Sequence, residues 1–181
     1  MTYNRVSLKQ KNGAPRAKSS LITLIPYDDI VTWPARTEDD ILVTGNVTLA
    51  TNALAIGMYA TVNTISRVDT QEGDPDAEGF LQTISFDHPG NSLEFETFVQ
   101  KWLGKPFIVI SDECGDDNGR RLHGWKCNPV FFTAEGQDNN EAVKTKLNFT
   151  TRLRTRFKSA YYKGTMPALA PDATGSSNGG V

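Results

Sequence analysis

Apolar and polar residues alternate with a period of two through residues 141–158, EAVKTKLNFTTRLRTRFK. Val143, Leu147, Phe149, Leu153 and Phe157 take odd positions, while Lys144, Lys146, Arg152, Arg154, Arg156 and Lys158 take even ones. Successive side chains of a β-strand point to opposite faces. The pattern therefore predicts one strand with an oily face and a row of cations behind it. At ~3.3 Å per residue such a run reaches about 50–60 Å, beyond the ~3–10 residues of ordinary strands. A strand of that length suits a sheet that continues into neighbouring subunits better than a small closed domain.

Weaker alternation places the other strands. Residues 41–50 set Ile41, Val43, Val47 and Leu49 against Thr44, Asn46 and Thr48, and residues 58–68 are rich in β-branched side chains. Residues 79–87 carry Phe80, Ile84 and Phe86 on one side, and residues 107–111 are apolar on both faces, as a central strand requires. The run 21–25 ends at Pro26 and reads as a strand or docked segment, with loop after it. A turn at Asp116-Asp117-Asn118-Gly119 precedes a strand over 121–134, broken or bulged at Asn128-Pro129, and a polar turn at 136–140 leads into the basic strand. Between strands, residues 67–79, RVDTQEGDPDAEG, predict a long acidic loop.

One helix is expected, over 92–103. Asn91 or Ser92 can cap it, Glu94 and Glu96 suit its positive end, and Leu93, Phe95, Phe98, Val99 and Trp102 fall on one face before Gly104 and Pro106 close it. The expected fold is mainly β: an antiparallel β-sandwich or open barrel over residues 21–164 with one flanking α-helix. An extended arm, 1–20, precedes it, and a flexible Ala/Pro/Gly/Ser-rich tail, 165–181, follows.

Composition (38% hydrophobic, 22% charged) is that of a soluble globular protein, and no apolar run reaches the ~18–20 residues of a membrane span. The basic N-terminus lacks the apolar centre of a secretory signal, so synthesis in the cytoplasm is expected. Net charge is only −2, but it is unevenly placed. Residues 1–20 carry +5, residues 21–140 carry −12 and residues 141–163 carry +6. Basic ends around an acidic middle let one copy attract the next. Candidate contacts are therefore Arg5, Lys9, Lys11, Arg16 and Lys18 in the arm, and Asp69, Glu72, Asp74, Asp76 and Glu78 in the loop. The cationic strand, Lys144, Lys146, Arg152, Arg154, Arg156 and Lys158, is the third candidate. Its charges, about 7 Å apart in a line, need water, neighbouring acids or phosphates beside them.

Chemistry is sparse. His88 and His123 have no nucleophile at a motif spacing and read as turn or surface histidines. Dinucleotide, P-loop and zinc patterns do not occur. The acidic group Asp112, Glu113, Asp116 and Asp117 reads as a solvated hairpin tip, since its spacing does not fit a calcium loop. Cys114 and Cys127 read as reduced thiols. No catalytic residue, cofactor or metal is expected.

The order of these segments resembles the tail tube proteins of tailed bacteriophages: basic arm, paired strands with a long acidic loop, the helix NSLEFETFVQKWLG, the strand FIVIS, a hairpin and a long alternating strand. The ending WKCNPVFFTAEGQDNNEAVKTKLNFTTRLRTRFKSAYYKGT carries most of the likeness. The resemblance covers roughly residues 20–164 by layout and size. It implies a non-enzymatic virion protein whose β-sandwich forms hexameric rings with sheets joined into a barrel. Rings would stack through the acidic loop and the arms, contact other tail proteins and let DNA pass on ejection. A tail terminator or an injection-system tube subunit is similar in layout. One departure stands out: such lumens are expected to be acidic, whereas this strand's polar face is basic. From a different class, a β-rich nucleic-acid-binding module would use residues 144–158.

Overall fold

The computed structural model describes residues 15–37, 41–114 and 116–172. Along the chain they form β1 (Lys18–Pro26), β2 (Ile30–Thr32), β3 (Arg36–Thr37), β4 (Leu42–Val43), β5 (Thr48–Leu49), β6 (Ile56–Tyr59) and β7 (Ser66–Glu72). Then come β8 (Gly79–Pro89), α1 (Leu93–Trp102), β9 (Pro106–Glu113), β10 (Asp116–His123), β11 (Val130–Asp138), β12 (Val143–Thr151) and β13 (Ala160–Tyr162). The protein is mainly β. Eleven strands join one sheet in the order β3-β4-β13-β10-β9-β11-β12-β8-β7, with β1 paired to β9 and β6 to β1; β2 and β5 form a separate pair. All pairings are antiparallel except β13 with β4.

β9 is the hub. β1 lies along one side of it, while the other is shared: β10 pairs with Val109 to Ser111 and β11 with Pro106 and Phe107. The sheet therefore forks at β9, one branch running through β11-β12-β8-β7 and the other through β10-β13-β4-β3. Because β9 is buried on both faces, its alternate residues feed two cores. Phe107 and Val109 join Ile22, Leu24, Ile84, Phe86, Phe132, Leu147 and Phe149 in one. Ile108 and Ile110 join Ile25, Val43, Leu122 and Tyr162 in the other.

The helix forms where expected. Ser92 Oγ accepts the Phe95 amide at 3.3 Å, and Phe95, Phe98, Val99 and Trp102 pack on the first core. Leu93 does not join them and stays 83% exposed.

Residues 141–158 are not one strand. β12 ends at Thr151, after a ladder to β8 that runs from Lys144↔Pro89 to Thr150↔Thr83. The next bridge is Thr155↔Phe80, so five residues advance on one side against three on the other. Side chains hold this bulge: Asn128 Nδ2 donates to Leu153 O at 3.0 Å and Gln82 Nε2 to Phe157 O at 2.9 Å. Those carbonyls are satisfied without a continuous ladder, and Leu153 turns outward.

Other expectations shift for similar reasons. Residues 41–50 divide into β4 and β5, because β4 is drawn to β13 and the Val47 amide donates to Tyr162 Oη. Residues 58–68 divide into β6, a 3-10 turn at Val62–Thr64, and β7. The acidic loop is a hairpin: β7 and β8 pair as far as Glu72↔Gly79, leaving only residues 73–78 as its tip. β9 and β10 pair at Glu113↔Asp116, so residues 116–119 belong to β10 and are not the turn. Residues 121–134 belong to two strands separated by a reversal in which Trp125 and Asn128 exchange backbone hydrogen bonds. β11 and β12 pair out to Asp138↔Val143, so the turn is 139–142, where Asn139 Oδ1 accepts the amides of Glu141 and Ala142. Residues 165–170 are docked, not a free tail: Leu169 pairs with Ala55 and Met166 packs on the second core.

Candidate functional site

The branch β11-β12-β8-β7 puts one face into the first core and leaves the other polar. Cross-strand partners run in rows. Val68, Thr83, Thr150 and Phe131 form one, and Ser66, Ser85, Asn148 and Thr133 the next. Asp87, Lys146 and Glu135 form a third, with Lys144 opposite Gln137 beyond it. The Thr83 and Thr150 hydroxyls meet at 3.2 Å. A groove of about 600 Å³ crosses this face, lined among others by Ser66, Ser85, Asp87, Glu135, Lys144 and Lys146.

Acids on neighbouring strands offset the lysines. Lys144 Nζ reaches Asp87 Oδ2 at 2.9 Å, and Lys146 stands directly between Asp87 and Glu135. Two lysines facing two carboxylates make the groove balanced rather than basic. The remaining cations of the expected row do not lie on β12. Arg152 stacks over Phe131 at 3.6 Å, Arg156 over Phe157 at 4.8 Å and Lys158 over Phe80 at 5.4 Å. Arg154 lies against the base of the β7–β8 hairpin, near Gly73 and Gly79. A single line of six positive charges does not exist, because the bulge after Thr151 ends the alternation that would align them.

The acidic segment also separates into parts. Asp74, Asp76 and Glu78 are exposed on the hairpin tip, and Glu72 at its base is exposed too. Asp69 belongs elsewhere: it points inward from β7 and accepts the Ser159 amide at 3.1 Å and hydroxyl at 2.7 Å. Of the arm residues, Arg16 contacts Glu113 at 3.3 Å and Lys18 opens β1, whereas Arg5, Lys9 and Lys11 lie outside the described residues.

The supposed hairpin-tip acids Asp112 and Glu113 are structural. Arg67 Nη2 donates to the Asp112 carbonyl at 2.9 Å, and Arg67 Nη1 lies 3.1 Å from Gly119 O and 3.4 Å from Glu113 Oε1. Asp112 also pairs with Arg120. The side chains of Asp116 and Asp117 lie outside the described set. His88 sits at a strand end, with Nδ1 2.9 Å from Tyr59 O and its ring stacked on Phe95.

His123 is not a surface histidine. It is fully buried, and neither ring nitrogen has a hydrogen-bond partner in the protein. Burial, only partly opposed by Asp69, pushes it down to about 3 from 6.5. Nothing in the sequence around it signals burial, since an imidazole suits a turn as well as a core. Asp87, Glu135 and Gln82 were equally hard to single out, because their roles depend on strand register. Cys114 and Cys127 are free and exposed. Among the described residues no three His, Cys, Asp or Glu side chains are grouped to hold a metal ion, and no helix is long and apolar enough to cross a membrane.

Compared with known protein families, characterised proteins and solved structures, the chain matches none.

Proposed function

We propose that this chain is a structural subunit that joins its sheet to those of identical neighbours, forming rings that stack into a tail-tube-like conduit for DNA. In this reading it has no enzymatic activity, and its two sheet branches pack as a sandwich. The observation that carries the reading is a four-stranded polar sheet section with an open strand at each side. β7 pairs only with β8 among the described residues, and its residues 66, 68 and 70–72 are exposed. On the opposite side β11 pairs with β9 only at Val130 and Phe131, so that, among the described residues, 133–138 pair with β12 alone.

Long open edges invite another strand. Joining β7 of one copy to β11 of the next is a head-to-tail contact, which closes into a ring if the rotation permits. The groove face, balanced in charge and rich in hydroxyls and amides, would then line the lumen. Such a surface offers DNA little to adhere to, which resolves the difficulty of a basic lumen. The exposed acids of the 73–78 tip remain available for stacking rings. A tail terminator or injection-system tube subunit would use the same edges. A direct nucleic-acid module is less well supported, because Lys144 and Lys146 face acids.

Negative-stain electron microscopy of the purified protein, with light scattering at low and high salt, tests this. Rings or hollow tubes that survive high salt are expected, since main-chain hydrogen bonds and apolar contacts resist screening. A monomer at every concentration would sink the reading.

A further inference from the structure

We propose that the polar cluster beneath β7 is an acid-triggered latch: when His123 takes up a proton its ring leaves the closed packing, and β7 comes free with the 153–159 segment. Its consequence for assembly rests on β7 being the joining edge; the latch itself does not.

The first core turns polar at one end. There His123, opposite Val109 of β9, is sealed from solvent with both ring nitrogens unpartnered, and Ser111 Oγ, two residues further along β9, is unpartnered too. The charged groups near enough to act on the imidazole are Arg67 and Asp69 of β7 and Arg121 of its own strand, and Arg67 reaches that strand directly through Gly119 O. Glu113 and Asp112 stand behind Arg67. Gln82 of β8 is engaged with the backbone and makes no hydrogen bond to the ring. Its Nε2 donates to Phe157 O and its Oε1 accepts the Gly124 amide at 2.8 Å. A neutral ring suits this pocket. An imidazolium would add a third cation beside two guanidiniums, facing the one carboxylate of Asp69, whose oxygens already serve Ser159.

The groups that confront His123 are also those that fasten β7. Besides its ladder to β8, β7 is held by Arg67 on the carbonyls of Asp112 and Gly119, and by Asp69 on Ser159. Repelling Arg67, or diverting Asp69 from Ser159 to a charged ring, loosens that attachment.

The ring titrates at about 3 when closed and near 6.5 when released. Closure is therefore fully favoured above pH ~6.5 and loses ground as pH falls towards ~3. Between neutrality and about pH 5 the opening equilibrium rises roughly 30-fold.

The test is amide hydrogen exchange on the full chain, diluted until light scattering reports monomers, at about pH 7.4 and about pH 5 with intrinsic rates corrected. Opening of Ser66–Glu72 is expected to rise about 30-fold while Pro106–Glu113 keeps its protection, and His123→Leu is expected to abolish the response. Unchanged β7 protection, equal loss in β9, or a response that persists in His123→Leu would each overturn the latch. Should that variant not fold, proton NMR of the wild-type imidazoles decides. The chain has two histidines, and a His123 imidazole titrating near 6.5 with β7 still protected would overturn it as well. Microscopy at the same two pH values separates the claims. A pH-sensitive β7 without rings defeats the assembly reading alone, and rings with an insensitive β7 defeat the latch alone.

Discussion

Phe149 is walled by Phe86, Phe107 and Phe132, whose ring centroids lie 6.0, 5.8 and 5.1 Å away. A charge placed there has neither water nor a partner. Phe149→Asp is expected to cost more than ~3 kcal/mol and abolish cooperative melting. Leu153, four residues on and nominally on the same face, is 62% exposed. Leu153→Ser should shift stability by no more than about 0.5 kcal/mol in urea titrations. A large loss at Leu153 would show that the bulge is wrongly placed. At this scale, alternation revealed the inward direction of Leu147 and Phe149, because each lies within a paired ladder. It could not reveal that Asp87 and Glu135 flank Lys146. Cross-strand neighbours are set by register, and register depends on where turns and bulges fall.

Among the elements, α1 was legible almost to the residue, since a capping serine, acids in the first turn and a closing glycine act locally. β9 was legible too, because a run apolar on both faces must be central. The β7–β8 hairpin was not. Its residues 67–72 are polar enough to read as loop, and their strand conformation comes from pairing with β8 and from the inward anchors Arg67 and Asp69. Since Glu72 and Gly79 are direct partners, replacing residues 73–78 with Asn-Gly should close the hairpin as a two-residue turn. The expected variant melts like the parent and forms rings that no longer stack, seen by microscopy. Tubes of normal length would remove the acidic tip from the assembly contact.

For the molecule as a whole, the two cores depend on segments far apart in sequence. Truncation after Gly164 removes Met166 from the second core and the hydrogen bonds that Ala168 and Ala170 make with Ala55. We expect a loss of about 2 kcal/mol, or roughly 4–8 °C in Tm for a domain of this size. An unchanged calorimetric Tm would mean that the docked segment contributes nothing. By itself the sequence determined the mainly β character, the single helix, the hub strand and the inward face of β12, because each follows from periodicity or capping within a few neighbouring residues. Only the tertiary structure decided where β12 stops, which acids face its lysines, and that His123 lies sealed beneath β7. Those outcomes depend on register and on side chains such as Asn128 and Gln82 capturing distant carbonyls, and no local pattern encodes them.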